Sequence, residues 1–343
     1  MYKKWLKEFI FEEDRHFKSC HASTLVILLN GTVLTAWFGG TKEGAKDVAI
    51  WYSKRVNGIW ETPVKLADQE GIPHWNPVLF EGEGGKIYLF YKVGHTIPSW
   101  HTMVMVSEDG GDTWTPPKPL VEGNIGGRGP VRNKPIKNSD GVWLAPASVE
   151  AKYWDAFVDI SYDQGETWFK SQMVPINHRC VGQVNPSVNT LPVPNLSFKG
   201  KGIIQPTLWE SKPGSIHMLL RSTEGLVFRS DSEDGGKTWS SAYPTQLPNN
   251  NSGIDVTRLD NGVLVIVYNP IGENWGPRTP LVANISMDNG RTWGNEFILE
   301  DQEGEFSYPA IVSNGMQIFI TYTWKRERIA FWKIDLELCN SDK

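Results

Sequence analysis

Ser107-Glu108-Asp109-Gly110-Gly111-Asp112-Thr113-Trp114 is one of four octapeptides in this 343-residue chain that fit the template Ser-x-Asp-x-Gly-x-Thr-Trp. The others are Ser161–Trp168, Ser232–Trp239 and Ser286–Trp293, and an eroded copy, Ser53–Trp60, keeps Ser53, Gly58 and Trp60. The five serines are 54, 54, 71 and 54 residues apart, a regular spacing broken by one insertion of 17. Self-similarity at a period of tens of residues marks a repeat array or propeller. Each octet also has a local logic. Its Asp can bond its own turn backbone, the Gly two places on supplies positive φ, and the Thr-Trp pair opens the next strand with a large ring.

Between octets, each repeat reads as three apolar strands separated by Gly-bearing turns. The copies are Thr24–Leu29, Val33–Phe38 and Val48–Lys54; Pro77–Phe80, Lys86–Val93 and Thr102–Ser107; Lys134–Ile136, Val142–Val149 and Ala156–Ser161; Pro206–Trp209, Ser215–Arg221 and Leu226–Ser232; Gly253–Leu259, Val263–Asn269 and Leu281–Ser286. A sixth, Ser307–Val312, Gln317–Trp324 and Arg328–Ile334, has no octet. Its missing outer strand is expected from the N-terminal segment Tyr2–Phe11, which would latch a ring. The expected fold is therefore an all-β, six-bladed β-propeller forming one domain over residues 1–343. The insertion falls at about 176–202, either a long surface loop or a rim over a pocket.

Composition agrees with an all-β chain: 33 Gly, 22 Pro, 16 Trp and 10 Tyr. A net charge of −5 gives no basic surface for nucleic acid or a membrane. Three cysteines, Cys20, Cys180 and Cys339, lack metal spacing and fit a reducing compartment. Met1–Phe11 has no signal-peptide core, and no run reaches transmembrane length. A cytoplasmic location is expected.

The octets resemble the Asp-boxes of sialidases and related β-propellers, over nearly the whole chain. In that family the boxes lie away from the active site, so the resemblance speaks for the fold more than for the chemistry. Topology locates the other face. Starts of first strands and ends of second strands share one end of a four-stranded blade, opposite the octets. Those positions hold His21, His74, Arg128, Arg132, Lys134, Gln205, Asn250, Asp255 and Tyr308, together with Asp47, Lys92, Glu150, Arg221 and Arg278. A funnel lined this way suits a polar, anionic ligand. Arg128, Arg132 and Lys134 either form a solvated loop or, as three cations within seven residues beside Asn133 favour, bind a carboxylate or satisfy Glu150. His21 and His74 are structural or catalytic in equal measure. The Asn249–Asn251 run suits a turn or sugar hydroxyls. Trp75, Trp100, Trp154 and Trp275 stack on sugars or simply pack.

The resemblance implies further assignments. Arg221 and Arg278 look like the second and third arginines of a sialidase carboxylate clamp. Tyr308, in Phe-Ser-Tyr-Pro, looks like the nucleophile, unless the register shifts by two and leaves Phe306 there. Asp47 lies near the expected acid/base. Two positions depart: His21-Ala22-Ser23 replaces Arg-Ile-Pro, and Gln205 replaces the glutamate. These departures argue against ordinary sialidase activity.

The expected function is an exo-acting glycoside hydrolase on a short acidic oligosaccharide containing a uronate or ulosonate, with Asp47, Glu150, Asp255 or a His as acid/base groups. A lyase is the alternative, with His21 or His74 as base and Tyr308 as acid. A non-catalytic glycan-binding propeller is the third reading. Lys92, Arg128, Arg132, Lys134, Gln205, Arg221, Asn250, Asp255 and Arg278 are the expected binding residues. Neither a metal nor another cofactor is expected, since the histidines lack metal-ligand spacing.

Overall fold

The computed structural model describes residues 2–13, 16–180, 183–184 and 198–337. Six antiparallel sheets form six blades, as the spacing predicts. From inner to outer edge, blade two runs His74–Glu81, Ile87–Val93, His101–Ser107 and Lys118–Pro119. Blade four runs Ile203–Lys212, Ser215–Ser222, Leu226–Ser232 and Tyr243–Pro248. In blade six, Phe306–Asn314, Gln317–Trp324 and Arg328–Leu336 are completed by the N-terminal strand Tyr2–Phe9, which pairs antiparallel to Arg328–Leu336. Side chains tie this strand to both neighbours. Glu8 accepts from Arg55 Nε at 2.8 Å and Nη2 at 2.9 Å, and Lys7 meets Glu300. The latch anticipated for Tyr2–Phe11 is present.

The core lies between blades. Leu34, Ala36 and Tyr52 of blade one pack against Leu79, Leu89 and Tyr91 of blade two, and equivalent layers recur round the ring. The octets fold as their composition dictates. Asp109 Oδ1 accepts the N–H groups of Asp112 at 3.0 Å and Thr113 at 2.9 Å, while Ser107 Oγ accepts that of Gly111 at 2.8 Å. These bonds hold the Asp109 carboxyl below its usual range, led by the Thr113 hydroxyl. Gly111 is required twice over. Its φ is 86°, and a Cβ would lie 2.0 Å from Tyr52 Oη of the preceding blade. Gly111→Ala is expected to cost about 1–3 kcal/mol, measured by denaturant unfolding.

Three boundaries differ from expectation. The eroded octet is a two-residue hairpin turn at Asn57-Gly58, with φ of 50° and 85°, the left-handed pair such turns demand. The inner strand of blade three is only Ile136–Lys137, because the side chains before it bond to other blades. Blade five begins at Asp255, not Gly253. Of the insertion, residues 181–182 and 185–197 lie outside the described residues. Its ends are anchored by buried Ile176 and Phe198 in the layer between blades three and four.

Candidate active site

The inner strands carry a shared distortion at one end. Ala22, Asn76, Gln205 and Tyr308 have φ of 55°, 41°, 52° and 53°, and the pairing register shifts across each. Bulges re-aim side chains, and positive φ at non-glycine residues clusters at functional sites. Here the bulges bring His21, Gln205 and Tyr308 from three blades into one cluster.

Tyr308 is its centre. The guanidinium carbons of Arg132, Arg278 and Arg221 lie 5.3, 5.4 and 5.6 Å from its ring centroid, and the His21 ring lies 4.1 Å away. Arg221 Nη1 donates to Tyr308 Oη at 2.8 Å and to Gln205 Oε1 at 3.1 Å. Gln205 Nε2 donates in turn to Glu150 Oε1 at 3.0 Å. The sequence left a choice between Tyr308 and Phe306. Phe306 is fully buried in the layer between blades five and six, so only Tyr308 meets the arginines.

Charge at this cluster is unbalanced. Arg278 and Arg326 share Glu305 Oε1, each at 2.7 Å, and Arg326 also meets Glu43. Burial works against ionisation of Glu305, but these two arginines outweigh it and hold the carboxyl below its usual range. Among the described residues, Arg132 donates to the carbonyls of Tyr308 and Pro309, fixing the main chain that carries the tyrosine. Arg221 is braced by Nε on Asn251 Oδ1 at 3.0 Å and by the Asn251 carbonyl. Among the described residues, neither Arg132 nor Arg221 forms an ion pair with a carboxylate. Burial, reinforced by the four arginines, pushes the His21 imidazole well below its ordinary value, so it stays neutral. Thr323 Oγ1 holds its Nδ1 at 2.8 Å. Glu150 is shifted the other way: burial raises it, and Arg221 and Gln205 only partly oppose this.

Several expected site residues are committed elsewhere. The Nδ1–H of His74 faces the carbonyls of Ile72 and Val48, and its Nε2 accepts the Gln69 N–H, so neither nitrogen is free for acid–base work. Arg128 does not bind substrate in this arrangement: its Nε pairs with fully buried Asp159 at 2.9 Å and its Nη2 reaches the Trp168 carbonyl. Lys134 and Asp255 likewise leave the binding set, because they pair with each other at 2.9 Å. Asp255 also accepts from Thr207 Oγ1 and from the Val256 and Ile311 N–H groups. Asp47 is exposed and accepts from the Thr41 N–H and hydroxyl, closing its own loop. Asn250 donates to the Pro277 carbonyl at 2.6 Å, bracing the loop that ends in Arg278. Trp75, Trp100 and Trp154 are buried, whereas Trp275 is 63% exposed. Glu305 and Thr323 were not singled out from sequence, and Asn251 only as part of the Asn249–Asn251 run, since each acts on a residue from a different blade or strand.

Lys92 is fully buried, donating to Thr102 Oγ1 and the Arg128 carbonyl. Burial lowers its ammonium to about 7. Its unfolded value is higher, so the cost of burying the charge is greatest at low pH and fades as pH rises toward the unfolded value. Lys92→Met is therefore expected to raise Tm more at about pH 6 than at about pH 9. Equal shifts would show that the ammonium is not desolvated.

The sequence profile described as the BNR repeat-like domain matches residues 31–320. No curated protein matches the chain in sequence. Among solved structures, the Hadza microbial sialidase Hz136 superposes with a TM-score of 0.76 at 16% identity, over 96% of this chain and 68% of its own. A protein of unknown function from Dyadobacter fermentans gives 0.75 at 16% identity, over 96% and 98%. The NanB sialidase of Streptococcus pneumoniae gives 0.71 at 13% identity, over 96% and 70%.

Proposed function

Since the chain belongs to the BNR repeat-like domain family and has the sialidase-like propeller fold, we propose that it is an exo-acting glycoside hydrolase. Its substrate is a short acidic oligosaccharide ending in a uronate or ulosonate. The observation that carries this reading is the gathering of Arg132, Arg221 and Arg278 around one tyrosine ring. Guanidinium groups match a carboxylate with a planar fork of donors. Four arginines at the cluster, counting Arg326, meet two carboxylates directly, Glu305 and Glu43. An anionic sugar offsets that excess, and a neutral one leaves it standing.

Each role follows from its surroundings. Arg221 and Arg278 grip the substrate carboxylate. Tyr308 presents its phenol to the anomeric carbon, and Arg221 Nη1 holds the phenol oxygen in place. Glu150, which burial keeps protonated to higher pH than usual, donates to the leaving oxygen. Water then releases the sugar, so the sum is one water added per bond cleaved.

One observation favours the lyase reading. A neutral His21 against Tyr308 is a base beside an acid, which β-elimination from a uronate requires. The two chemistries separate in one experiment. The protein is incubated with sialyllactose and short uronate-containing oligosaccharides, and products are followed by mass spectrometry and ultraviolet absorbance. Hydrolysis adds the mass of water without absorbance. Elimination gives an absorbing unsaturated uronate without water. Failure to turn over any acidic substrate while cleaving neutral ones would overturn both.

A further inference from the structure

A second constellation lies at the other end of blade four, which the funnel does not use. Ser211 sits in a bulge near the end of the strand Ile203–Lys212, where the register shifts between Glu210 and Lys212. Its Oγ is 2.7 Å from His217 Nε2. His217 Nδ1 is 2.5 Å from Asp231 Oδ1, and Asp231 immediately precedes the third octet. The three residues thus stand on the octet face, opposite the tyrosine cluster.

The tautomer follows from the partners. Asp231 also accepts from Arg229 Nε at 2.9 Å and from Tyr243 Oη at 2.6 Å. Burial opposes its ionisation, but the bonds from His217 and Tyr243, with the Arg229 charge, bring its carboxyl down to about 2. Arg229 Nη2 also lies 3.1 Å from His217 Nδ1, but the ionised Asp231 oxygen is nearer at 2.5 Å; it keeps the proton on Nδ1 and leaves Nε2 as the acceptor. Two donors then face a single lone pair: the Ser211 hydroxyl and Asn289 Nδ2, at 3.1 Å. When Ser211 takes it, the Asn289 amide is left with donors to spare beside the same ring nitrogen.

Arg229, Trp209 and Asn289 also join blades four and five. Arg229 Nη1 donates to the Asn289 carbonyl, and Trp209 Nε1 to its Oδ1, each at 2.7 Å. That joint accounts for those residues and not for Ser211, which is half-buried on a hairpin and forms no part of it. His217 is buried, 6% exposed, and stacks on Trp209 at 5.1 Å, so its ring is fixed.

We propose that Ser211, His217 and Asp231 form a second, acyl-transfer site that cleaves carboxylic esters. Ser211 Oγ adds to the ester carbonyl as its proton passes to His217 Nε2. The carbon–oxygen bond to the alcohol breaks, and His217 returns the proton to the departing alkoxide. Water, deprotonated by His217, then cleaves the acyl-serine to acid and free serine. The sum is ester plus water giving acid plus alcohol. Asn289 Nδ2 donates to the carbonyl oxygen as it becomes an oxyanion.

The test is covalent labelling of the intact protein with a fluorophosphonate, mapped by mass spectrometry. The expected result is one adduct, on Ser211, that forms at least about tenfold more slowly in His217→Gln. Ser215→Ala, on the same hairpin, labels like the parent. The adduct on Ser211 in the parent is a readout that needs no variant to fold. No adduct at Ser211 in the parent, or a labelling rate indifferent to His217→Gln, would overturn the proposal.

Discussion

Tyr308→Phe is expected to lower kcat/KM on the acidic substrate by about 100- to 10,000-fold. The substitution removes one oxygen and keeps the ring. The ring's contacts with His21 and with the three arginines therefore persist, and only the bond from Arg221 is lost. Tyr308 is half-buried, and a single hydrogen bond is worth about 0.5–1.5 kcal/mol, so Tm should hardly move. Both reaction classes need the phenol, as nucleophile in one and acid in the other, and the loss is expected in either. A variant that keeps activity within tenfold would remove Tyr308 from the chemistry.

Asp255→Ala is expected to have the largest effect on stability, about 3–5 kcal/mol, read by chemical denaturation. Asp255 is buried, and four blades converge on it. Lys134 comes from blade three, Thr207 from blade four and the Ile311 N–H from blade six, while Asp255 itself opens blade five. Alanine leaves the Lys134 ammonium without its carboxylate, its Val256 carbonyl contact aside, and orphans the other donors. The double variant Lys134→Met, Asp255→Leu should recover part of the loss, because replacing a buried pair by apolar groups costs less than breaking it. A small single-variant effect would show that the ring closes without this junction.

Much of the architecture was legible because its signals are local. Each octet makes its turn from its own Ser, Asp and Gly, so four matching octets gave the period, and the period gave the blades. The N-terminal strand was legible by subtraction, since blade six lacked an outer edge. The site was legible only to the level of a face. His21, Glu150, Gln205, Arg221 and Tyr308 do converge, and Arg132 and Arg278 border them. The choice of partner was not legible, because it is made across blades far apart in sequence. Arg128, Arg132 and Lys134 look alike within seven residues. Yet Arg128 turns to Asp159 in its own blade, Lys134 to Asp255, and Arg132 to the main chain of Tyr308. His74 looked like a base by type and position, but two carbonyls and an amide had claimed its ring. Glu305 carried no motif, although it divides its carboxylate between two of the four arginines.

Calorimetric titration with glucuronate and N-acetylneuraminate, set against their neutral methyl esters, tests the central claim most directly. The arginine cluster predicts that at least one free acid binds, at least about tenfold more tightly than its ester, with affinity falling as salt rises. Arg221→Ala should abolish that preference. Equal binding of acid and ester, or a preference that survives Arg221→Ala, would contradict the claim that these arginines recognise an anionic sugar.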